Sequence, residues 1–204
     1  MKLFYSPTSP YVRKVMACAI ARGIERQIDL LTTNPHASPP DLLACNPLSK
    51  VPCLLVDDGM ALFDSRVVCE FLDTVELDTV EFVSPLFLQG GARIGALRMQ
   101  AIGDGICDAA VLRRMEQGKP REDAREAQMG RHRAAVERAL DLLEAEPPAQ
   151  HLNIGSIAVG CALGYLDFRF PQEPWSEGRL RLAAWAEAFM AQPCMVRTAP
   201  PPGS

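Results

Sequence analysis

A serine followed by a proline stands at the predicted start of the first helix, in the segment Ser9-Pro10-Tyr11. Proline suits the first helical position, because its fixed backbone angle matches the helix and no partner is needed for its missing N–H. A helix N-terminus offers free N–H groups and about half a positive charge, so it stabilises a thiolate, including one carried by a ligand. The Ser9 hydroxyl can donate a hydrogen bond to such a sulfur, or it can simply cap the helix.

Two further pairs could hold the rest of a small peptide ligand. Val51-Pro52 comes directly before a predicted strand, and a cis bond there would turn the Val51 N–H and C=O outward to pair with a peptide. A plain proline at the start of a strand is the alternative. Asp64-Ser65 opens the next predicted helix, where Ser65 can bind a carboxylate and Asp64 can accept from an ammonium group. Taken alone, a capping serine beside a first-turn acid is the commoner interpretation of this pair.

The elements that would position these pairs follow the order β-α-β-(α)-β-β-α. Strands are predicted over residues 2–5, 27–31, 53–56 and 61–63, and helices over 10–22, 41–45 and 65–75. Ser65 is the expected cap of the last of these helices, whose apolar face is Val67, Val68, Phe71, Leu72 and Val75. The first strand, helix and second strand make a βαβ unit, which implies that the two strands are parallel.

Strand signals stop after this point and helical patterns take over. Helices are predicted over residues 86–117, 122–146, 154–169 and 180–191, and the tail over 199–204 is expected to be disordered. The helix from Ile154 is apolar nearly all round, so we expect it to be the buried core of this half. The predicted fold class is therefore α+β, with a βαβ-ββα domain over residues 1–76, a linker over 77–85 and an all-helical domain over 86–204.

The composition excludes several classes of function. The 204 residues carry a formal net charge of −4, which gives no electrostatic footprint for nucleic acid or an anionic membrane. No apolar run approaches the roughly 20 residues of a membrane span, and the N-terminus lacks a signal-peptide pattern. Seven scattered cysteines without a CxxC motif predict buried free thiols in a reducing cytoplasm. The histidines His36, His132 and His151 lie far apart, so no metal site is expected.

The chain resembles the glutathione transferase family over its whole length, and among bacterial members it is most similar to the YibF-like group. The likeness is carried by Ser9-Pro10-Tyr11-Val12-Arg13, Asn46-Pro47-Leu48-Ser49-Lys50-Val51-Pro52, Phe63-Asp64-Ser65 and Gly164-Tyr165-Leu166-Asp167-Phe168-Arg169. The resemblance implies a thioredoxin-like N-terminal domain, glutathione as co-substrate, no metal, and a cytoplasmic homodimer.

Roles for single residues also come from this resemblance. Ser9 falls where serine-type transferases keep the hydroxyl that activates the glutathione thiol. Val51 would pair with the cysteinyl backbone of glutathione beside a cis Pro52, while Asp64 and Ser65 would hold the γ-glutamyl end.

The resemblance also suggests one more glutathione contact, and this sequence departs from the family's usual residues at two places. Lys50 can reach the glycine carboxylate, or it is an ordinary solvated surface lysine. Asp64 is shorter than the family's usual residue at that place, which changes its reach. At the core helix the usual capping box of Ser or Thr with Asp reads Asn153 to Ser156, and the lost carboxylate is expected to weaken the helix start by about 1 kcal/mol.

The activity implied is attack by the thiolate of glutathione on a small hydrophobic electrophile, in a site between the two halves. The helix over 86–117 would line that site, and its Asp104, Asp108 and Arg113 are candidates that the sequence does not rank. Asp104 could instead approach the glutathione of a neighbouring subunit. A serine at position 9 excludes a protein–glutathione mixed disulfide there. A glutathione-dependent disulfide or peroxide reductase on the same fold, and a non-enzymatic regulator that binds a protein partner, are the alternatives.

Overall fold

The computed structural model describes residues 1–76 and 84–201, which fall into two compact units. The first unit is Met1–Gln89 with Pro193–Ser204, and the second is Gly90–Gln192. The predicted second domain extends to residue 204, whereas this grouping places the end of the chain with the first unit. The predicted linker, residues 77–85, lies largely outside the described residues.

Within the described residues, four strands form the sheet of the first unit in the order β2-β1-β3-β4. The strands are β1 (Lys2–Tyr5), β2 (Asp29–Thr32), β3 (Cys53–Leu55) and β4 (Ala61–Leu62). β1 and β2 are parallel, and β3 runs antiparallel to both β1 and β4. Parallel neighbours need a crossover, which helix α1 (Pro10–Ala21) supplies. The predicted βαβ unit and the α+β class are thus confirmed.

Two short helices complete the βαβ-ββα order, α2 (Pro40–Cys45) and α3 (Ser65–Thr74). Val68 and Leu72 of α3 are buried as its predicted apolar face requires, but Val67 is exposed, so the prediction for Val67 was wrong. The second strand begins at Asp29 rather than at Gln27, because a 3₁₀ turn occupies Glu25–Gln27. A second 3₁₀ turn, Pro35–Ala37, lies in the segment predicted to be a loop.

The second unit is built from helices α4 (Gly90–Glu116), α5 (Asp123–Ala145), α6 (Ile154–Arg169) and α7 (Leu180–Met190). Nearly all of α6 is buried, which confirms it as the core of this unit. After α7 the chain enters α8 (Pro193–Arg197), a short helix that packs against α1 in the first unit and that the sequence pattern did not predict.

The start of α6 is a complete capping box made by Asn153 and Ser156. Asn153 Oδ1 accepts hydrogen bonds from the N–H groups of Gly155 at 2.9 Å and Ser156 at 3.1 Å. In return, the Ser156 hydroxyl oxygen accepts from the Asn153 N–H at 3.0 Å. The hydroxyl takes the place of the usual carboxylate as acceptor, and the expected weakening of the helix start stays a prediction.

Asp73, near the end of α3, accepts hydrogen bonds from the residues that precede α4. Its Oδ1 accepts from the Leu86 N–H at 2.8 Å and its Oδ2 from the Phe87 N–H at 2.9 Å. Arg22 is the residue after α1, and its Nε lies 3.3 Å from Asp73 Oδ1. The Asp73 side chain is only 6% exposed. One carboxylate therefore fastens three parts of the first unit.

We expect Asp73→Ala to lower the free energy of unfolding by about 2 kcal/mol, because two N–H groups would lose their acceptor in a buried place. Asp57→Ala is the matched control, since Asp57 pairs with the N-terminal ammonium at 2.9 Å but has an 88% exposed side chain. Its effect should stay within about 0.5 kcal/mol. Urea unfolding measures both, and equal losses would contradict the role given to Asp73.

Candidate functional site

Ser9 is the N-cap of α1 and has an extended backbone conformation. Its Oγ accepts a hydrogen bond from the Val12 N–H at 3.3 Å, and Pro10 takes the first helical position. That bond uses a lone pair of the hydroxyl, so its proton can still be donated to a ligand. The first turn, from Pro10 to Arg13, contains no carboxylate that would neutralise the positive end of the helix dipole. Capping the helix and donating to a sulfur are therefore compatible in the same residue.

The Val51–Pro52 peptide bond is cis, as the resemblance implies, and so is the Phe63–Asp64 bond. The loop before Val51 is held by buried Asn46, whose Nδ2 donates to the Lys50 carbonyl at 2.9 Å. Within residues 1–76 and 84–201, no hydrogen bond satisfies the N–H or C=O of Val51. This half-buried residue therefore presents one donor and one acceptor to which a peptide ligand can pair.

Asp64, and not Ser65, is the N-cap of α3. Its Oδ1 accepts from the Arg66 N–H at 2.9 Å, while Ser65 is the first residue of the helix and is buried. The prediction of Ser65 as the cap was therefore wrong. Asp64 is exposed and uses one carboxylate oxygen for the cap, so the other can accept from a cationic group.

The register of the sheet brings the three pairs to one end of it. Phe4 lies opposite Cys53, so the chain leaving β1 towards Ser9 starts beside the chain entering β3 from Pro52. β4 is antiparallel to β3, with Leu54 opposite Leu62. The chain leaving β4 towards Asp64 therefore emerges at the same end. Three segments that lie about 13 to 55 positions apart in the sequence converge there.

Packing beneath this end of the sheet supports the same arrangement. A buried cluster is formed by Phe4, Leu42 and Cys53, and both Val51 and Phe63 pack against it. The backbone next to Pro52 and the backbone next to Asp64 thus rest on a common apolar support. Lys50 is exposed, which is compatible with both of its predicted roles.

The thiols of Cys53 and Cys194 are poorly suited to act as nucleophiles. All seven lie in the described part of the chain as free thiols, and all but Cys45 are buried. Burial, with a smaller contribution from Cys45, raises the pKa of the Cys53 thiol to about 11. Burial also raises the pKa of Cys194. Thiols with raised pKa values stay protonated near neutral pH and are poor nucleophiles.

The three polar residues singled out on the long helix differ in their surroundings. Asp104 is buried and Asp108 is exposed. Arg113 is held by Glu173, whose two carboxylate oxygens lie 2.7 and 2.8 Å from its Nη2, and its guanidinium lies 4.4 Å from the centre of the Phe170 ring. These contacts lie inside the second unit and give Arg113 a structural role there.

Sequence reasoning missed the contact that Arg13 makes with α8. Arg13 Nη2 donates to the Met195 carbonyl at 3.2 Å, across 182 positions of the chain. The only available signal was the place of Arg13 in the segment that begins with Ser9, which says nothing about its partner.

Over residues 1–76 and 84–201, no three His, Cys, Asp or Glu side chains come together in a way that could hold a metal ion. No helix in the same residues is long and apolar enough to cross a membrane.

Comparison with known proteins gives matches over both units. Residues 8–75 match the model of the glutathione S-transferase N-terminal domain, and residues 122–188 match that of the C-terminal domain. The GST-like protein YibF of Escherichia coli (strain K12) is 30% identical, over 98% of this chain and 99% of its own length.

Solved structures give the same result. A glutathione transferase family member from Pseudomonas fluorescens Pf-5, with bound glutathione, is 39% identical and superposes with a TM-score of 0.89, over 98% of each chain. A second structure from the same strain, with bound S-(propanoic acid)-glutathione, gives a TM-score of 0.86 at 39% identity, over 98% of this chain and 100% of the other.

Proposed function

The chain belongs to the glutathione S-transferase family, and we propose that it binds glutathione and transfers the glutathione thiolate to small hydrophobic electrophiles. The observation that carries the proposal is the convergence of Ser9, Val51 and Asp64 at one end of the sheet. Each of the three offers a different group: a hydroxyl at a helix N-terminus, an unpaired backbone amide and an exposed carboxylate. The relatives with bound glutathione or a glutathione conjugate support the same ligand.

In this proposal the tripeptide is held along its length. The Val51 N–H and C=O pair with the cysteinyl backbone, as a strand pairs with a sheet edge. Ser65 and the first N–H groups of α3 bind the γ-glutamyl carboxylate, while the free oxygen of Asp64 accepts from its ammonium group. Lys50 attracts the glycine carboxylate from its exposed position.

The reaction needs a thiolate, because the protonated thiol is a weak nucleophile. The bound thiol loses its proton to solvent, and the sulfur is stabilised by the Ser9 hydroxyl proton and by the positive end of α1. The sulfur lone pair then forms a C–S bond to the electrophile. A leaving group departs with its bonding electrons, or an activated alkene takes up a proton at the neighbouring carbon. Ser9 forms no covalent bond with the substrate.

A conjugation assay tests the proposed function directly. Turnover of chloronitrobenzene and of an activated alkene with glutathione is expected, the alkene being included because a relative binds a conjugate with a propanoic acid group on the sulfur. If the protein turns over only hydroperoxides or glutathione disulfides, its activity is that of a reductase and not of a transferase. A failure of calorimetry to detect glutathione binding would contradict the proposal and favour a non-enzymatic regulator that binds a protein partner.

Asp64→Asn separates ligand binding from helix capping. Asparagine caps a helix as well as aspartate does, so the free energy of unfolding should change by less than about 0.5 kcal/mol. The charge that attracts the glutathione ammonium is lost, so the dissociation constant for glutathione should rise about tenfold. Asp64→Ala is the comparison, since it loses both the charge and the cap. Calorimetry showing wild-type affinity for Asp64→Asn would remove Asp64 from the ligand site.

We also propose that the protein forms a homodimer and works in the cytoplasm. In the first unit, Leu48, Met60 and Val67 are exposed, and Met60 directly precedes the edge strand β4 in sequence. A second copy of the chain covering them would remove apolar surface from water. The free buried thiols suit a reducing compartment. Sedimentation equilibrium checks the dimer: a monomer at all concentrations would contradict it.

A further inference from the structure

The helix that carries Ser9 is fastened by the C-terminal helix at two places. Near the N-terminus of α1, Arg13 Nη2 donates to the Met195 carbonyl at 3.2 Å. Beyond its C-terminus, Glu25 accepts from Arg197 Nη2 at 2.9 Å. Between these contacts Cys194 and Met195 are both buried. Helix α8 therefore lies against α1 with an apolar contact and a polar contact near each end of α1.

The two polar contacts differ in how strongly they can hold α8 against α1. The Arg197–Glu25 pair is a surface ion pair in which the arginine side chain is 54% exposed, and such pairs contribute little. The Met195 carbonyl belongs to the last turn of α8, where carbonyl groups lack a backbone partner within the helix, and it also accepts from Thr198 Oγ1 at 3.5 Å. Arg13 supplies a charged donor to this carbonyl, and hydrogen bonds that involve a charged group are the stronger kind.

Arg13 is also hydrogen-bonded to Ser9, the residue proposed to stabilise the sulfur. Its backbone N–H donates to the Ser9 carbonyl at 3.0 Å, which closes the first turn of α1. The same residue is thus bonded through its backbone to Ser9 and through its side chain to α8. A shift of Arg13 would carry the first turn with it and would change where the Ser9 hydroxyl and the helix N–H groups point.

We propose that Arg13 is a positioning residue, through which α8 fixes the first turn of α1 in the orientation that lets Ser9 and the helix N-terminus stabilise the glutathione thiolate. This inference rests on the proposed function. It assigns a part in thiolate stabilisation to a helix at the other end of the chain. Arg13 acts through Ser9 and does not itself touch the sulfur.

A direct effect of the Arg13 charge on the sulfur is the competing explanation, and two variants distinguish them. Arg13→Met keeps the aliphatic stem and removes both the charge and the bond to Met195. Met195→Gly removes the buried side chain that seats α8 and leaves the charge of Arg13 in place. Positioning predicts the same defect in both variants, whereas a direct charge effect predicts it in Arg13→Met alone. Arg197→Gln is the control, because it removes only the exposed ion pair.

The test is a titration of glutathione bound to each full-length variant, followed by the ultraviolet absorbance of the thiolate. We expect the thiol pKa to rise by about half a unit or more in Arg13→Met and Met195→Gly, and conjugation below neutral pH to fall about 3-fold to 10-fold. Arg197→Gln should match the wild type. Thermal melts establish that each variant is folded, and Met195→Ala replaces Met195→Gly should the latter not fold.

The outcomes separate this inference from the proposed function. A wild-type pKa in folded Arg13→Met, or a rise in Arg13→Met without one in the Met195 variant, overturns the positioning role. Wild-type protein that binds no glutathione overturns the proposed function instead. A lower melting temperature with an unchanged thiol pKa would show that α8 only adds stability, which also contradicts the inference.

Discussion

Replacing Ser9 by alanine should raise the thiol pKa of bound glutathione by about one unit and slow conjugation below neutral pH about tenfold. The reason is the loss of a hydrogen bond to a charged sulfur, which contributes about 1.5 kcal/mol or more, and one pKa unit corresponds to about 1.4 kcal/mol. A raised pKa lowers the thiolate fraction only at pH values below it. The rates of variant and wild type should therefore approach each other as the pH rises. A pH–rate profile for both proteins makes the measurement.

Ser9→Thr is the matched control for this substitution, since threonine keeps both the hydroxyl donor and the ability to cap α1. It should retain most of the wild-type pH profile. Ser9→Ala also loses the cap to the Val12 N–H, so its free energy of unfolding should fall by about 1 kcal/mol independently of the ligand. An unchanged pH profile in Ser9→Ala, with the expected loss of stability, would leave Ser9 as a helix cap and nothing more.

The second large effect is expected where α4 and α6 cross, inside the second unit. A Cβ built on Gly103 would lie 2.6 Å from the carbonyl carbon of Ala158 and 2.8 Å from the backbone nitrogen of Val159. Both neighbours belong to the backbone of the core helix and cannot rotate away. Gly103→Ala should therefore force the helices apart and lower the free energy of unfolding by about 3 kcal/mol. Urea unfolding measures the loss.

Gly105→Ala provides the control two residues further along the same helix. A Cβ on Gly105 would meet no atom within 4 Å. Since alanine favours a helix over glycine, this variant should gain about 0.5 to 1 kcal/mol. Opposite signs for the two substitutions identify the close approach of the helices as the cause. A neutral Gly103→Ala would contradict the packing described for α4 and α6.

Local signals in the sequence were sufficient where a residue both starts an element and has its partner nearby. The bounds of α6 follow from Asn153 as a cap and from the prolines after Arg169, and the structure has the same bounds. The place of Pro10 at the first position of α1 follows from its fixed backbone angle in the same way.

Features that depend on distant contacts were not predictable in this way. Helix α8 has five residues and is stabilised by α1, which lies more than 170 positions earlier in the sequence. Asp64 and Ser65 are both good caps, and only the backbone geometry of the chain before α3 decides between them. The hydroxyl of Ser156 completes a capping box that a carboxylate pattern does not reveal.

The candidate site could be predicted from the sequence only in part. Each pair of residues has an ordinary structural explanation alone, and the register of β1, β3 and β4 is what brings them to one end of the sheet. Strand register depends on packing as well as on sequence, so residue types alone could not establish the convergence. The family resemblance supplied the grouping, and the sheet supplied the physical reason for it.

A crystal structure of the protein with reduced glutathione tests the central claim most directly. We predict that the glutathione sulfur lies within about 3.5 Å of the Ser9 hydroxyl oxygen, and that the cysteinyl backbone pairs with the N–H and C=O of Val51. A sulfur bound away from Ser9, or glutathione bound without Val51, would contradict the claim.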